Sequence, residues 1–177
     1  MTDDDRTLAD LDPDALGLDS SEWVNSDPID VAELRGRVVV VETFQMLCPG
    51  CVQHGLPLAS RIHRSLGDQG VVVIGLHTVF EHHDVMGPDA LRAFVHEYRL
   101  PFPVAIDRPV PGRAIPSTMD RYRLQGTPST IVADRAGRIR SVSFGQVDEL
   151  KLGALLGRLL AEPAPADAPG PADGAEG

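Results

Sequence analysis

Cysteine is nearly absent from this 177-residue chain: there are two, Cys48 and Cys51. That excludes the dense disulfide framework that holds small secreted domains together and leaves the pair for catalysis or metal binding. Long apolar runs are missing as well. Nothing approaches the ~18 consecutive apolar residues of a membrane span, and nothing resembles a lipidation signal. The first 22 residues lack the basic and apolar regions of a secretory signal, holding eight acidic side chains against one basic, Arg6. There is no basic patch and no nucleic-acid motif, so neither nucleic acid nor membrane is expected as a partner. Together these absences lead to the expectation of a soluble cytosolic protein.

The formal charge of -10 sits mostly at the ends: residues 1–22 carry -7 and residues 162–177 carry -4, leaving +1 between them. Such ends read as solvating tails rather than as an interaction code. The chain as a whole is 42% hydrophobic, enough to bury one core of ordinary size. The expected division is an acidic flexible leader over 1–22, one folded domain over 23–161 and a disordered Pro/Ala/Asp/Gly tail over 162–177. A monomer or weak dimer is expected.

Residues 29–36 read as a turn or one-turn helix closed by Gly36. Val38 to Phe44 is nearly continuous in apolar and β-branched residues, as in a strand covered on both faces, with Glu42 the exception. From Pro49 the period becomes helical, through Val52, Leu56, Ala59, Ile62 and Leu66, with Pro57 expected to kink the helix. Val71 to Ile74 gives a second strand and completes a β-α-β unit. Residues 77–87 read as an irregular stretch carrying His77, His82 and His83, and Pro88 opens another helix. An edge strand is expected near 103–106, a proline-rich loop over 107–116 and a short helix over 117–124. Ser129–Ala133 and the segment ending at Phe144 read as a hairpin, and Asp148 as the cap of a final helix to Leu160.

The motif Cys48-Pro49-Gly50-Cys51 therefore falls where a buried strand passes into a helix, and a helix start favours a thiolate. Zinc is the rival reading: it normally takes four ligands, so His54 with His82 or His83 would have to complete the shell.

The order strand, CxxC, kinked helix, strand, helix, Thr127-Pro128, hairpin and final helix resembles the thioredoxin fold over residues 24–160. The turn at Leu34-Arg35-Gly36 and the long segment from Val71 to Gln125 resemble the TlpA-type disulfide reductases and the broader redoxin group related to AhpC/TSA. This resemblance implies an α/β fold, a central mixed β-sheet flanked by helices, with an extended middle segment before the Thr-Pro loop. It implies that Cys48 attacks a substrate disulfide, Cys51 resolves the mixed disulfide, and Pro128 is cis beside them. Thr127 and Pro128, with Pro49 and Gly50 inside the motif, would meet the substrate. Glu42 falls where thioredoxins keep a buried acid, and its apolar strand should raise its pKa into the range of a proton acceptor. His54 stands where several TlpA-like reductases have a glutamate, placed to tune the thiols or relay protons. Leu47 replaces the usual tryptophan before the first cysteine, and Pro57 comes one residue later than usual.

The implied activity is thiol-disulfide oxidoreduction with no cofactor beyond the redox-active Cys48-Cys51 disulfide. Its partners would be a protein or small-molecule disulfide and an electron-donor thiol system, and a reductase direction is expected. The alternatives are a peroxidase and a non-enzymatic redox sensor or binding module. Peroxiredoxins place threonine or serine three residues before the reactive cysteine, where this chain has Gln45.

Overall fold

In the computed structural model, which describes residues 14–166 and residue 168, the valines 38 to 41 are each no more than 2% exposed. They belong to β2 (Val38–Phe44), flanked on both sides in a six-stranded sheet. Each valine withdrawn from water contributes about 1.5–3 kcal/mol, so this run anchors the core. The other strands are β1 (Ser20–Val24), β3 (Val71–His77), β4 (Val104–Asp107), β5 (Ser129–Ala133) and β6 (Ile139–Phe144), in the order β1-β4-β3-β2-β5-β6. β2, β3 and β4 are parallel; β1 and the β5–β6 hairpin add antiparallel pairs. The mixed sheet with helices packed on it is the thioredoxin-like fold expected from the chain order.

Alternation along β2 divides the core. Val38, Val40 and Phe44 face one cluster, with Leu56, Ala59 and Ile62 of α1 (Leu56–Leu66), Leu91 and Val95 of α2 (Pro88–Glu97), and Leu152, Leu156 and Leu159 of α4 (Glu149–Ala161). Val39 and Val41 face the other, with Ile74, Ile131 and Leu16, against which Trp23 and Tyr122 pack. Glu42 shares the parity of Val40 and Phe44, which sends its carboxyl toward the α1 side. Asp148 caps α4 by accepting from the N–H groups of Leu150 and Lys151. A 3-10 turn, Val31–Leu34, precedes β2, and a short helix, α3 (Ser117–Arg121), follows the proline-rich loop.

Several boundaries move. Ser20–Val24, expected within or beside the leader, pairs with β4 and forms an edge, while Ala15 bridges Arg138. Residues 14–22 are thus part of the folded unit, whereas residues 1–13 of the expected leader lie outside the described residues. β4 is consequently internal and not an edge strand. His77 is the last residue of β3 and is buried, so the irregular stretch begins at Thr78. At the other end, the Glu162 carbonyl accepts from Arg135 and its carboxylate pairs with Arg140. Of the expected tail, residues 167 and 169–177 lie outside the described residues.

The helix after the cysteines contains the least expected feature. Cys51–Gly55 is a π turn, closed by the Leu56 N–H donating to the Cys51 carbonyl five residues back, and α1 continues from it. A π turn accommodates one residue more than an α turn. It absorbs the extra residue between Cys51 and Pro57 and leaves Pro57 in the first turn of α1, where no N–H is required.

Candidate active site

Past Phe44 the chain leaves the sheet and turns at once, the Cys48 N–H donating to the Gln45 carbonyl at 3.2 Å. The Cys51 N–H then points back at Cys48 Sγ, also 3.2 Å, and the Cys48 thiol donates to the Thr127 carbonyl at 3.4 Å. Both cysteines are free thiols, Cys48 half-buried and Cys51 fully buried. Burial is the main reason the Cys51 thiol is pushed up to about 12, and the hydrogen bond with Cys48 pushes the same way. One sulfur is therefore reachable and the other is sealed behind it.

The Thr127-Pro128 peptide is cis. Its ring lies against the helix start, so closely that a Cβ built on Gly50 would be 3.3 Å from Pro128 Cδ. Gly55 is tighter: a Cβ there would lie 3.1 Å from Pro128 Cβ and 2.3 Å from Glu42 Oε1. Only a residue without a side chain lets the π turn, Pro128 and Glu42 meet.

Glu42 is 2% exposed, its Oε2 accepting from the Thr130 hydroxyl at 2.7 Å. Desolvation raises its pKa to about 8 despite that hydrogen bond. His54 is exposed, has no hydrogen bond to either sulfur, and lines with Glu42, Gly55 and Thr130 a cleft of about 10 Å³, close to the room one water requires. The structure thus gathers Cys48, Cys51, Gly50, Thr127 and Pro128 on one side of the helix start, and Glu42 and His54 around Gly55. Pro49 is exposed beside Cys48. Gly55 and Thr130 were not singled out in the sequence; the signal for Gly55 is a glycine between Cys51 and a proline one residue late.

The side chains expected to matter for peroxide are occupied. Gln45 is buried, its Oε1 accepting from the Phe80 N–H at 3.2 Å. The Thr43 hydroxyl both accepts from and donates to the Ser129 backbone. Among the described residues no group of three or more His, Cys, Asp or Glu is arranged to hold a metal.

A dithiol at the start of a helix, facing a cis-proline on a mixed sheet, defines a thioredoxin-like thiol-disulfide oxidoreductase, an enzyme class whose working groups are the cysteines themselves. Comparison with known proteins places the chain more closely: it belongs to the AhpC/TSA family, whose model matches residues 18–142. A thiol-disulfide isomerase from Corynebacterium glutamicum is 61% identical, superposes with a TM-score of 0.82, and covers 84% of this chain and 97% of its own. A thioredoxin-like superfamily protein is 50% identical with a TM-score of 0.83, covering 86% and 99%. Protein DipZ of Mycobacterium bovis is 28% identical over 156 residues, which are 86% of this chain but only 21% of DipZ. ResA of Bacillus thuringiensis, a thiol-disulfide oxidoreductase, is 24% identical over 86% of this chain and 83% of ResA.

Proposed function

We propose that this chain is a cytosolic reductase of protein disulfides in which Cys48 attacks and Cys51 resolves. The asymmetry of the pair carries the reading: Cys48 is reachable and has the Cys51 N–H aimed at its sulfur, whereas Cys51 is sealed and held protonated.

The Cys48 thiolate attacks one sulfur of the substrate, forming a mixed disulfide and breaking the substrate S–S bond, so that one substrate thiolate leaves. Cys48 then carries no negative charge, and its contribution to the high pKa of Cys51 disappears. Glu42, once ionised, accepts the Cys51 proton. Cys51 attacks Cys48 Sγ, the second substrate thiolate leaves, and the pair has given up two electrons as a disulfide. A dithiol donor returns them. The small cleft with His54 at its rim gives the Glu42 proton a way out through one water. When Cys48 loses its own proton it releases the Thr127 carbonyl, which can then accept from an N–H of an extended substrate beside Pro128.

The reductase direction rests on the glutathione poise of the cytosol, which keeps dithiols of ordinary potential reduced. Among the described residues no helix is long and apolar enough to cross a membrane. Peroxidase activity finds no free hydroxyl at Gln45 or Thr43 and is not expected. Cys48→Ser should abolish dithiothreitol-driven insulin reduction, and Cys51→Ser should accumulate a mixed disulfide visible by mass spectrometry; full activity in Cys48→Ser would sink the mechanism. Equilibration with glutathione buffers tests the direction: a potential near roughly -270 mV supports a reductase, and one near roughly -120 mV an oxidant. Fractionation of cells expressing the chain tests the compartment.

A further inference from the structure

The carboxyl ends of β3 and β4 open into a cavity of about 340 Å³ lined by none of the residues proposed for disulfide exchange. Open α/β sheets leave room for ligands at these strand ends, and the volume lies within the roughly 300–1,000 Å³ of small-molecule sites. Val79, Met86, Pro88, Ile106, Pro109 and Pro116 make its wall mainly apolar. The loops after β3 and β4 enclose it and meet where the His83 imidazole lies 3.2 Å from the Ala114 carbonyl. Val85 and Ile115, each next in the chain to lining residues, are 60% and 41% exposed, so apolar surface continues along both loops. Gly87 lines the cavity with an ordinary extended backbone (φ -73°, ψ 174°), and a Cβ built there meets nothing within 4 Å.

Its polar groups indicate what would fit. Asp107 is already satisfied, accepting from the N–H groups of Thr118 and Met119 and from the Thr78 hydroxyl. Arg113 is paired through both terminal nitrogens with Asp120. Neither charge calls for a counter-charge from a ligand. His77 differs: it is 1% exposed and its buried Nε2 has no hydrogen-bond partner. Burial also lowers its pKa to about 4, so the ring is neutral in ordinary buffers. A neutral imidazole has one donor and one acceptor nitrogen, and a hydroxyl, which can do either, suits both tautomers.

We propose that this cavity is a second binding site, for a small uncharged molecule with an apolar body and one hydroxyl that meets His77. Titration of the full chain with p-cresol and with toluene, followed by NMR at the Met86 methyl and the His77 ring, tests it. Saturable binding of both is expected, p-cresol being about five-fold tighter, as for one net hydrogen bond. His77→Phe should erase that preference while still binding toluene. Gly87→Leu should weaken both by about ten-fold or more by filling the space, and insulin reduction should be unchanged in either variant. The proposal is overturned if neither probe saturates, if wild-type protein prefers toluene or does not discriminate, or if Gly87→Leu binds as wild type does. Should His77→Phe fail to fold, the wild-type ratio and Gly87→Leu still decide.

Discussion

Two regions near the carboxyl ends of the parallel strands are packed in opposite ways. Around β2 the glycines are there because something touches them: Gly50 meets Pro128, and Gly55 meets both Pro128 and the Glu42 carboxyl. Around β3 and β4, Gly87 opens onto space. Their buried titratable groups differ in the same sense. Glu42 has Thr130 as a partner and Gly55 at contact distance, whereas the His77 Nε2 has no partner at all. The exchange proposed for the first region, between two sulfurs with Glu42 as proton acceptor, tolerates little slack and suits a region closed to contact; the recognition proposed for the second needs unfilled volume and an unspent polar atom. Three measurements bear on whether this contrast is real.

The largest effect is expected at Glu42. Its folded pKa of about 8 stands above the ordinary carboxyl value of 4.5, so below about 4.5 both folded and unfolded forms are protonated and its burial costs nothing extra. As pH rises past that point the unfolded chain ionises while the folded one does not, and stability is lost progressively until pH passes about 8. Glu42→Gln keeps an acceptor for Thr130 and removes the titration. It should match wild type near pH 4 and exceed it near pH 8 by on the order of 4 kcal/mol in urea unfolding, while slowing release of the mixed disulfide. A stability difference that stays flat with pH would mean that Glu42 is solvated and the region is not closed.

Next comes the pair Gly55→Ala and Gly87→Ala. At Gly55 the new methyl must displace either the Pro128 ring or the Glu42 carboxyl, a side-chain end that is buried and held by Thr130, and a loss of about 3 kcal/mol with a fall in insulin reduction is expected. At Gly87 the same methyl should change stability by less than about 0.5 kcal/mol. Equal costs at the two positions would erase the contrast in packing.

How far the sequence foretold these regions follows from the range of the interactions involved. The Cys48-Cys51 spacing, the β5–β6 hairpin, the Asp148 cap and the Thr127-Pro128 step are local patterns, and the structure carries each of them. The place of Glu42 was legible because a carboxyl interrupts a run of valines. Ser20–Val24 was not, because its strand character comes from pairing with β4 some eighty residues on, while its neighbours are acidic. The late Pro57 was visible, but not that a π turn would absorb the extra residue, since that depends on Pro128 and Glu42 packing against Gly55. His77 was misread for a related reason: its companions His82 and His83 are exposed, and only the register of β3 against Phe44 and Ile106 shows that it ends a buried strand.

That misreading points to the smallest of the three effects. Burial holds the His77 pKa at about 4 against the ordinary imidazole value of 6.5, so as pH falls below about 6.5 the unfolded chain takes up a proton that the folded chain refuses. Stability due to the neutral ring is then lost as pH falls toward about 4. Asp107, across the same cavity, works the other way: burial raises its carboxyl to about 6, and stability due to its protonated form is lost as pH rises from about 3.8 through about 6. The two overlap in wild type, so the informative quantity is a difference. His77→Phe keeps Asp107 and removes only the imidazole, and its stability relative to wild type should rise by roughly 2 kcal/mol between about pH 7 and about pH 5. An unchanged difference over that interval would show that water reaches His77 through the cavity and satisfies it, in which case the polar atom left for a ligand is already spent.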